Sequence, residues 1–236
     1  MRRCILYFMV GLLLCSARIR VVDYTDSYVG YAYERGNSKP VYSEEFTDHF
    51  VNNRYTETVT HYFDPNKKLI ARRTLDFSRS LFAPDFRTED LRTGSMEGAE
   101  LKNEKVRLFF RKDKNSPLKE KTIDVPQPVV IDGGFNQFIK ARWVELEQGE
   151  TIVFNFTVPA HLDFYRLKAT RVSDPTHELI IRIEPDHLLV RWMAEPILVN
   201  YNRFTKRIVS YEGKSNIANE YGRNAFIKLI YPEKGP

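Results

Sequence analysis

The sequence predicts a mainly β protein, built as a strongly curved antiparallel sheet (a half-barrel or barrel-like meander) with one inserted helix that covers it. The first observation is alternation of side-chain character in segments such as Tyr55–Phe63 and Ile152–Val158, which is typical of strands with one buried face. The second is a single helical stripe in mid-chain. Its members recur at i, i+3, i+4 and i+8: Phe135, Phe138, Ile139 and Trp143.

The segments before the helix predict two groups of strands. The first group is Tyr28–Glu34, Pro40–Phe50, Tyr55–Phe63 and Leu69–Phe77. The second group is Leu91–Met96, Lys105–Arg111 and Lys119–Val125. Between the groups, residues 78–88 predict an irregular crossing rich in turn-forming and charged residues.

The helix is expected over residues 133–147, with Asp132 as the N-cap because a carboxylate accepts hydrogen bonds from the free N–H groups of a first turn. Gly149 is expected to end it. Further short strands are expected over 152–158, 164–172, 179–183, 188–193, 197–201, 208–212 and 225–231. Residues 18–236 then form one predicted β-rich domain, with an N-terminal meander over 28–125 and a C-terminal meander over 150–232.

The first 17 residues resemble an export signal rather than a part of the fold. Arg2 and Arg3 precede an uncharged apolar run, and small residues stand before a cleavage site at Arg18. We therefore expect a periplasmic or secreted protein. A retained anchor and lipid modification at Cys15 are the alternatives, although Leu14 is larger than the residue that lipid modification requires at that place.

Removal of this segment would take both cysteines and two positive charges. Cys4 and Cys15 are the only cysteines, so the mature chain would form no disulfide and offer no thiol nucleophile. The formal net charge would fall from +5 to +3, with basic and acidic residues interspersed. A charge this small does not predict a nucleic-acid partner, and no transmembrane span is expected after cleavage.

Three stretches resemble a group of bacterial exported proteins that have no established activity. They are HYFDPNKKLIARRTLDF (61–77), VIDGGFNQFIKARW (130–143) and TKRIVSYEGKSNI (205–217). The predicted organisation is also similar to the half-barrel superfamily of outer-membrane lipoprotein carriers, the LolA/LolB type, although this chain has one clear helix where those carriers have several. That architectural resemblance implies a curved sheet and a hydrophobic cavity for acyl chains.

The sequence does not predict an active site. The five histidines form no HExxH or HxH pattern, and no G-x-S-x-G elbow is present. Adjacent acids such as Glu44 and Glu45 point to opposite faces of a strand, so they cannot serve one site, and we expect both in solvent. We predict no catalytic residue, no metal site and no cofactor.

An aromatic set on the helix and the strands is the candidate ligand-binding region. Its members are Phe110, Phe135, Phe138, Trp143, Phe154, Phe156 and Trp192. If the helix packs closely on the sheet, these residues form a filled core. If the sheet curves away, they line an apolar pocket for a lipid or another extended ligand.

The expected function is that of an exported, non-catalytic envelope protein that binds a hydrophobic ligand or an envelope component within the curved sheet. The alternative is a protein–protein interaction or structural module with a filled core, which would bind an envelope protein partner. A periplasmic hydrolase acting on carbohydrates or esters is the third hypothesis.

Overall fold

The structure is a computed structural model, and it describes residues 22–172, 177–187, 195–219 and 222–232. Four sequence-based predictions fall outside these ranges: the export signal over 1–17, the lipid-modification site at Cys15, the strand at 188–193 and the ligand-binding role of Trp192.

The described residues form a fifteen-stranded sheet. The strands before the helix are β1 (Tyr24–Glu34), β2 (Tyr42–Val51), β3 (Arg54–Phe63), β4 (Leu69–Asp76), β5 (Asp85–Asp90), β6 (Met96–Lys102), β7 (Lys105–Arg111), β8 (Lys119–Ile123) and β9 (Val129–Val130). The strands after it are β10 (Ile152–Val158), β11 (Asp163–Val172), β12 (Glu178–Pro185), β13 (Ile197–Asn202), β14 (Ile208–Lys214) and β15 (Phe226–Ile230).

The strands follow one another as two meanders that join at the chain ends. From β8 back to β1, each strand pairs with its sequence neighbour, and β1 then pairs with β15, from which the order continues back to β9. All of these pairings are antiparallel except that of β9 with β10. Strands β8 and β9 are the two edges, so the sheet is not closed by hydrogen bonds.

The sheet curves until its two ends approach each other through side chains. The 3₁₀ turn Pro159–His161 follows β10 and lies against β6 and β7, which belong to the opposite end of the sheet. Leu162 and Phe164 pack against a core cluster that contains Val106 and Ile123. The predicted fold class, a strongly curved and barrel-like antiparallel sheet, is confirmed.

The inserted helix has two segments, α1 (Gly134–Ala141) and α2 (Trp143–Glu147), which meet at Arg142 (φ −104°, ψ 22°). The prediction of Asp132 as the N-cap is wrong, because Gly133 occupies that position and no side chain caps the first turn. Asp132 has a left-handed φ of 42°, and its carboxylate forms an ion pair with Arg73 from β4. The carboxylate oxygen that faces Arg73, Oδ1, also accepts a hydrogen bond from the Gly133 backbone N–H at 2.6 Å, so the carboxylate is bound beside the helix start without capping its first turn.

The start of α1 is a place where the backbone requires glycine. A Cβ atom on Gly134 would lie 2.2 Å from the carbonyl oxygen of Phe82, so the helix can approach the crossing segment only without a side chain here. Neither helical segment of the described chain is long and apolar enough to cross a bilayer.

The irregular crossing is shorter than predicted. Residues 85–90, placed in or after the crossing, form β5, since Phe86, Thr88 and Asp90 alternate toward the buried face. Of the predicted strand over 91–96, only Met96 lies in a strand (β6), and residues 91–95 form a turn. The Asp90 carboxylate stabilises this turn by accepting a hydrogen bond from the Arg92 backbone N–H at 2.9 Å. Capping by this side chain decides the end of the strand.

Candidate functional site

The helix packs closely on the inner face of β10–β13, and the aromatic residues predicted to bind a ligand meet there. Phe138, Trp143 and Phe154 are buried members of one core cluster, and Phe135 and Phe156 pack against it, partly buried. Phe110 lies on β7 and belongs to none of the buried clusters. Trp192 lies outside the described residues.

The contacts inside this aromatic cluster are those of a packed core. The Phe138 ring lies 5.3 Å from that of Phe154 and makes an edge contact with Phe82 at 5.6 Å. Trp143 makes an edge contact with Tyr201 at 5.7 Å. Such separations are typical of interlocking rings in protein interiors, so the cluster stabilises the helix on the sheet. A ligand-binding role for these residues stays a prediction.

The interior also carries a charged cluster, which lies on β2–β4 and not on the helix-covered strands. We call it the Arg73 cluster, and its members are Glu44, Tyr62, Arg73, Asp132 and Asn216. Strand register places the first three together. Glu44 on β2 is the cross-strand partner of Tyr62 on β3, and Arg73 on β4 is the partner of Thr60 on β3. The local strand alternation therefore directs all of them to the same face.

Arg73 is the centre of this cluster. Its Nη1 lies 3.2 Å from Asp132 Oδ1, and its Nε donates to Thr88 Oγ1 at 3.0 Å. With the Asn216 amide oriented so that its oxygen faces the guanidinium, that oxygen accepts from both Nη atoms at 3.2 Å. The guanidinium also lies 5.8 Å from the centroid of the Tyr62 ring. Burial opposes its charge, but the nearby negative charge of Asp132 raises the pKa overall, so Arg73 stays cationic.

Two glutamates near Arg73 have pKa values that are raised to near neutral pH. Burial raises the pKa of Glu44 to about 7, in spite of the opposing positive charge of Arg73. Burial and then the negative charge of Asp132 raise the pKa of Glu97, on β6, also to about 7. The expectation that Glu44 lies in solvent is wrong: only 2% of it is exposed, whereas Glu45 is half-buried on the opposite face.

Three buried oxygens near this cluster find no hydrogen-bond partner among the described residues. They are Glu44 Oε1, Thr60 Oγ1 and the Tyr62 hydroxyl. Buried polar atoms are normally paired, because leaving one unpaired costs about 1–3 kcal/mol. Unpaired polar groups and perturbed carboxyl pKa values mark this part of the interior as the chemically unusual one.

One end of the sheet contains a cavity of about 580 Å³, which we call the end pocket. It lies between the β1–β2, β3–β4 and β5–β6 connections and the segment that joins β14 to β15. Its apolar walls are contributed by Pro40, Val41, Ile70, Ile217, Ala225 and Ile227. A volume of this size fits the range in which small-molecule sites are found.

The polar groups of the end pocket are arranged differently at its floor and at its rim. At the floor, the hydroxyls of Tyr42 and Ser215 bond each other at 3.0 Å, and Ser215 donates to the Ile217 carbonyl oxygen at 2.7 Å. At the rim, Arg92 is held by both carboxylate oxygens of Asp90. The buried hydroxyls of the pocket are therefore already paired, whereas its charged lining residues, Glu34, Lys39, Asp64 and Arg92, are partly or fully exposed.

Among the described residues, no group of three or more His, Cys, Asp or Glu is arranged to hold a metal ion. Sequence analysis missed both the Arg73 cluster and the end pocket. The sequence did contain a signal for the Arg73 cluster. Side chains alternate between the two faces of β2, so Glu44 lies on the same face as Tyr42 and Phe46. The pocket is made of strand ends far apart in sequence, which no local pattern links.

Comparison with known proteins identifies a similar fold. No protein-family model matches the chain, and no curated protein matches it. A solved structure does: the crystal structure of a β-barrel-like protein of the domain of unknown function DUF1849 from Brucella abortus, with a TM-score of 0.50 and 8% sequence identity. The match covers 92% of this chain and 100% of that chain. At this identity the likeness concerns the fold, and it supports an uncharacterised β-rich architecture.

Proposed function

We propose that the protein is an exported, non-catalytic binding protein that holds a lipid-like or other amphiphilic small molecule in the end pocket. The observation that carries this proposal is a cavity of about 580 Å³ whose lining combines apolar side chains such as Ile70 and Ile227 with charged ones such as Lys39 and Arg92. The export signal predicted for residues 1–17 supports placement in the cell envelope or outside the cell.

The distribution of polar groups favours one orientation of the ligand. Because the floor hydroxyls of Tyr42 and Ser215 already bond each other, a ligand group there gains little by hydrogen bonding. An apolar group, in contrast, contacts Ile70 and Ile227 at the floor and is removed from water. The polar end of the ligand then lies near Lys39 and Arg92 at the rim.

The resemblance to the LolA/LolB half-barrel carriers implies a ligand with acyl chains, and we propose the same class of ligand here. The proposed site, however, is different. Those carriers hold acyl chains between the sheet and the helices. Here Phe138 and Phe154 are almost fully buried against each other at that interface. The end pocket has a volume within the range of small-molecule sites, so we place the apolar ligand there.

A hydrolase is the second candidate, and the raised pKa of Glu44 favours it, since a general acid works best with a pKa near the operating pH. However, neither Glu44 nor Glu97 is among the residues that line the end pocket. A non-catalytic role therefore accounts better for the arrangement. Turnover of a p-nitrophenyl ester that is abolished by Glu44→Gln would overturn it.

Uptake of the neutral fluorescent probe 1-aminoanthracene tests the proposal. Ala225→Phe should fill part of the pocket and weaken probe binding about tenfold or more, which corresponds to about 1.4 kcal/mol. Ala141→Phe is the matched control, because Ala141 is exposed at the end of α1, and it should bind like the unmodified protein. Absence of uptake, or equal uptake by both variants, would reject the site.

A further inference from the structure

One wall of the end pocket is contributed by residues 215–219, which follow β14 and lead toward β15. We call these residues the wall segment. Ser215 and Ile217 are buried and line the pocket, whereas Asn216, between them, is exposed and is not among the lining residues. The position of this segment therefore determines how closely the pocket fits an apolar ligand.

Two side chains from the N-terminal meander hold the wall segment and also line the pocket. The Tyr42 hydroxyl, from β2, bonds that of Ser215 at 3.0 Å, and Arg92, from the turn after β5, donates to the Ala218 carbonyl oxygen at 2.5 Å. Because Tyr42 and Arg92 are lining residues, their substitution changes the ligand contacts and the wall segment at the same time.

A third link to the wall segment comes from a residue outside the pocket. Arg73, on β4, is not a lining residue, and the Asn216 amide oxygen, when it faces the guanidinium, accepts from both Nη atoms at 3.2 Å. Arg73 is also held by Asp132 and Thr88, and only 7% of it is exposed. Asn216 therefore connects the wall segment to a fixed group that a ligand in the pocket does not touch.

We propose that Arg73 and Asn216 are positioning residues of the end pocket: their contact holds the wall segment at the distance at which Ser215 and Ile217 pack against a bound apolar ligand. This inference rests on the proposed function. Van der Waals attraction falls steeply with distance, and a gap of about 0.5–1 Å already removes roughly a quarter to a half of it. A small outward shift of the wall segment therefore weakens binding without removing any lining side chain.

Uptake of 1-aminoanthracene by variants of Asn216 tests this inference. Asn216→Ala removes the acceptor and should weaken probe binding about fivefold, which is at the low end of energetic coupling between separate positions. Asn216→Asp keeps an oxygen that accepts from Arg73, so it should bind the neutral probe within about twofold of the unmodified protein. Asn115→Ala is the matched control, since it makes the same change at an exposed position between β7 and β8, outside the pocket lining.

A double-mutant cycle with Arg73→Lys shows whether Asn216 acts through Arg73. Lysine keeps a positive charge beside Asp132, but an ammonium lacks the planar pair of N–H groups that hold the amide oxygen. Arg73→Lys should therefore also weaken probe binding, and adding Asn216→Ala to it should weaken binding no further. Urea denaturation establishes for each variant the conditions in which it is folded, and binding is compared there.

Absence of uptake by the unmodified protein would overturn the proposed function and this inference with it. Three results would overturn the inference alone, if Ala225→Phe still lowers uptake: unchanged binding in Asn216→Ala, a loss in Asn216→Asp or Asn115→Ala as large as in Asn216→Ala, or a further loss of about fivefold when Asn216→Ala is added to Arg73→Lys.

Discussion

The two walls of the interior are built by different chemistry although they belong to one sheet. The wall of β10–β13 is covered by the helix and filled with apolar side chains such as Phe138, Phe154 and Tyr201. The wall of β2–β4 is not covered in that way and carries Glu44 and Arg73. The first wall gains stability from apolar burial, and the second depends on compensation of charges that were removed from water.

Asp132 connects the two walls. It lies two residues before α1, and instead of capping the helix it supplies the counter-charge for Arg73. The helix is therefore fixed at one wall by packing and at the other by an ion pair. Substitutions on either side can separate these two contributions.

The largest predicted loss of stability comes from a substitution in the apolar wall. Phe138→Ala should lower the free energy of unfolding by about 3–5 kcal/mol, because the buried ring leaves a cavity between helix and sheet. Chemical denaturation measures this loss. Arg87→Ala, at an exposed position of β5, is the control and should change the value by less than about 0.5 kcal/mol. A loss below about 1 kcal/mol for Phe138→Ala would contradict a packed helix.

The next largest loss of stability is predicted for a substitution in the charged wall. Arg73→Met should cost on the order of 3 kcal/mol, since it leaves the carboxylate of Asp132 buried without its cation. Adding Asp132→Asn should restore part of the stability, because both charges are then absent. Denaturation of Arg73→Met, Asp132→Asn and the double variant at pH 8 measures these differences. If the double variant were less stable than the single one by the full cost of Asp132→Asn alone, the ion pair would not be the source of the loss.

The smallest predicted effect is a dependence of stability on pH that comes from Glu44 in the charged wall. The folded-state pKa of Glu44, about 7, lies above its ordinary value, so the folded protein binds more protons than the unfolded chain between about pH 4.5 and 7. Stability from this group is therefore present at low pH and falls as the pH rises through that window. Glu44→Gln should be more stable than the unmodified protein at pH 8, by on the order of 1–3 kcal/mol, and nearly equal to it at pH 4.5.

Denaturation at several pH values checks the Glu44 prediction. Glu97 titrates in the same window but is present in both proteins, so the difference between them reports on Glu44. Glu150→Gln, at an exposed position after α2, is the control and should follow the unmodified protein at every pH. Parallel pH profiles of Glu44→Gln and the unmodified protein would contradict a Glu44 pKa that burial raises to about 7.

Much of the fold could be predicted because strands and helices follow from the spacing of apolar residues over short segments. Alternation in Tyr55–Phe63 and Ile152–Val158 corresponds to strands β3 and β10, and the stripe of the helix corresponds to the residues buried on the sheet. The failures occurred where a tertiary partner decided the local structure. Asp132 is the clearest, since its residue type and position suit a cap and only Arg73, 59 residues earlier in the numbering, redirects it.

Side-chain periodicity is a property of neighbouring residues, so the amino-acid sequence was enough to predict a β meander with one amphipathic helix. Which polar residues meet in the interior, and where a cavity remains, depends on how distant strands are arranged. Glu44 and Arg73 come together because three strands are in register, and the end pocket exists because four connections meet at one end of the curved sheet. Register and curvature arise from the whole sheet, so no local segment encodes them.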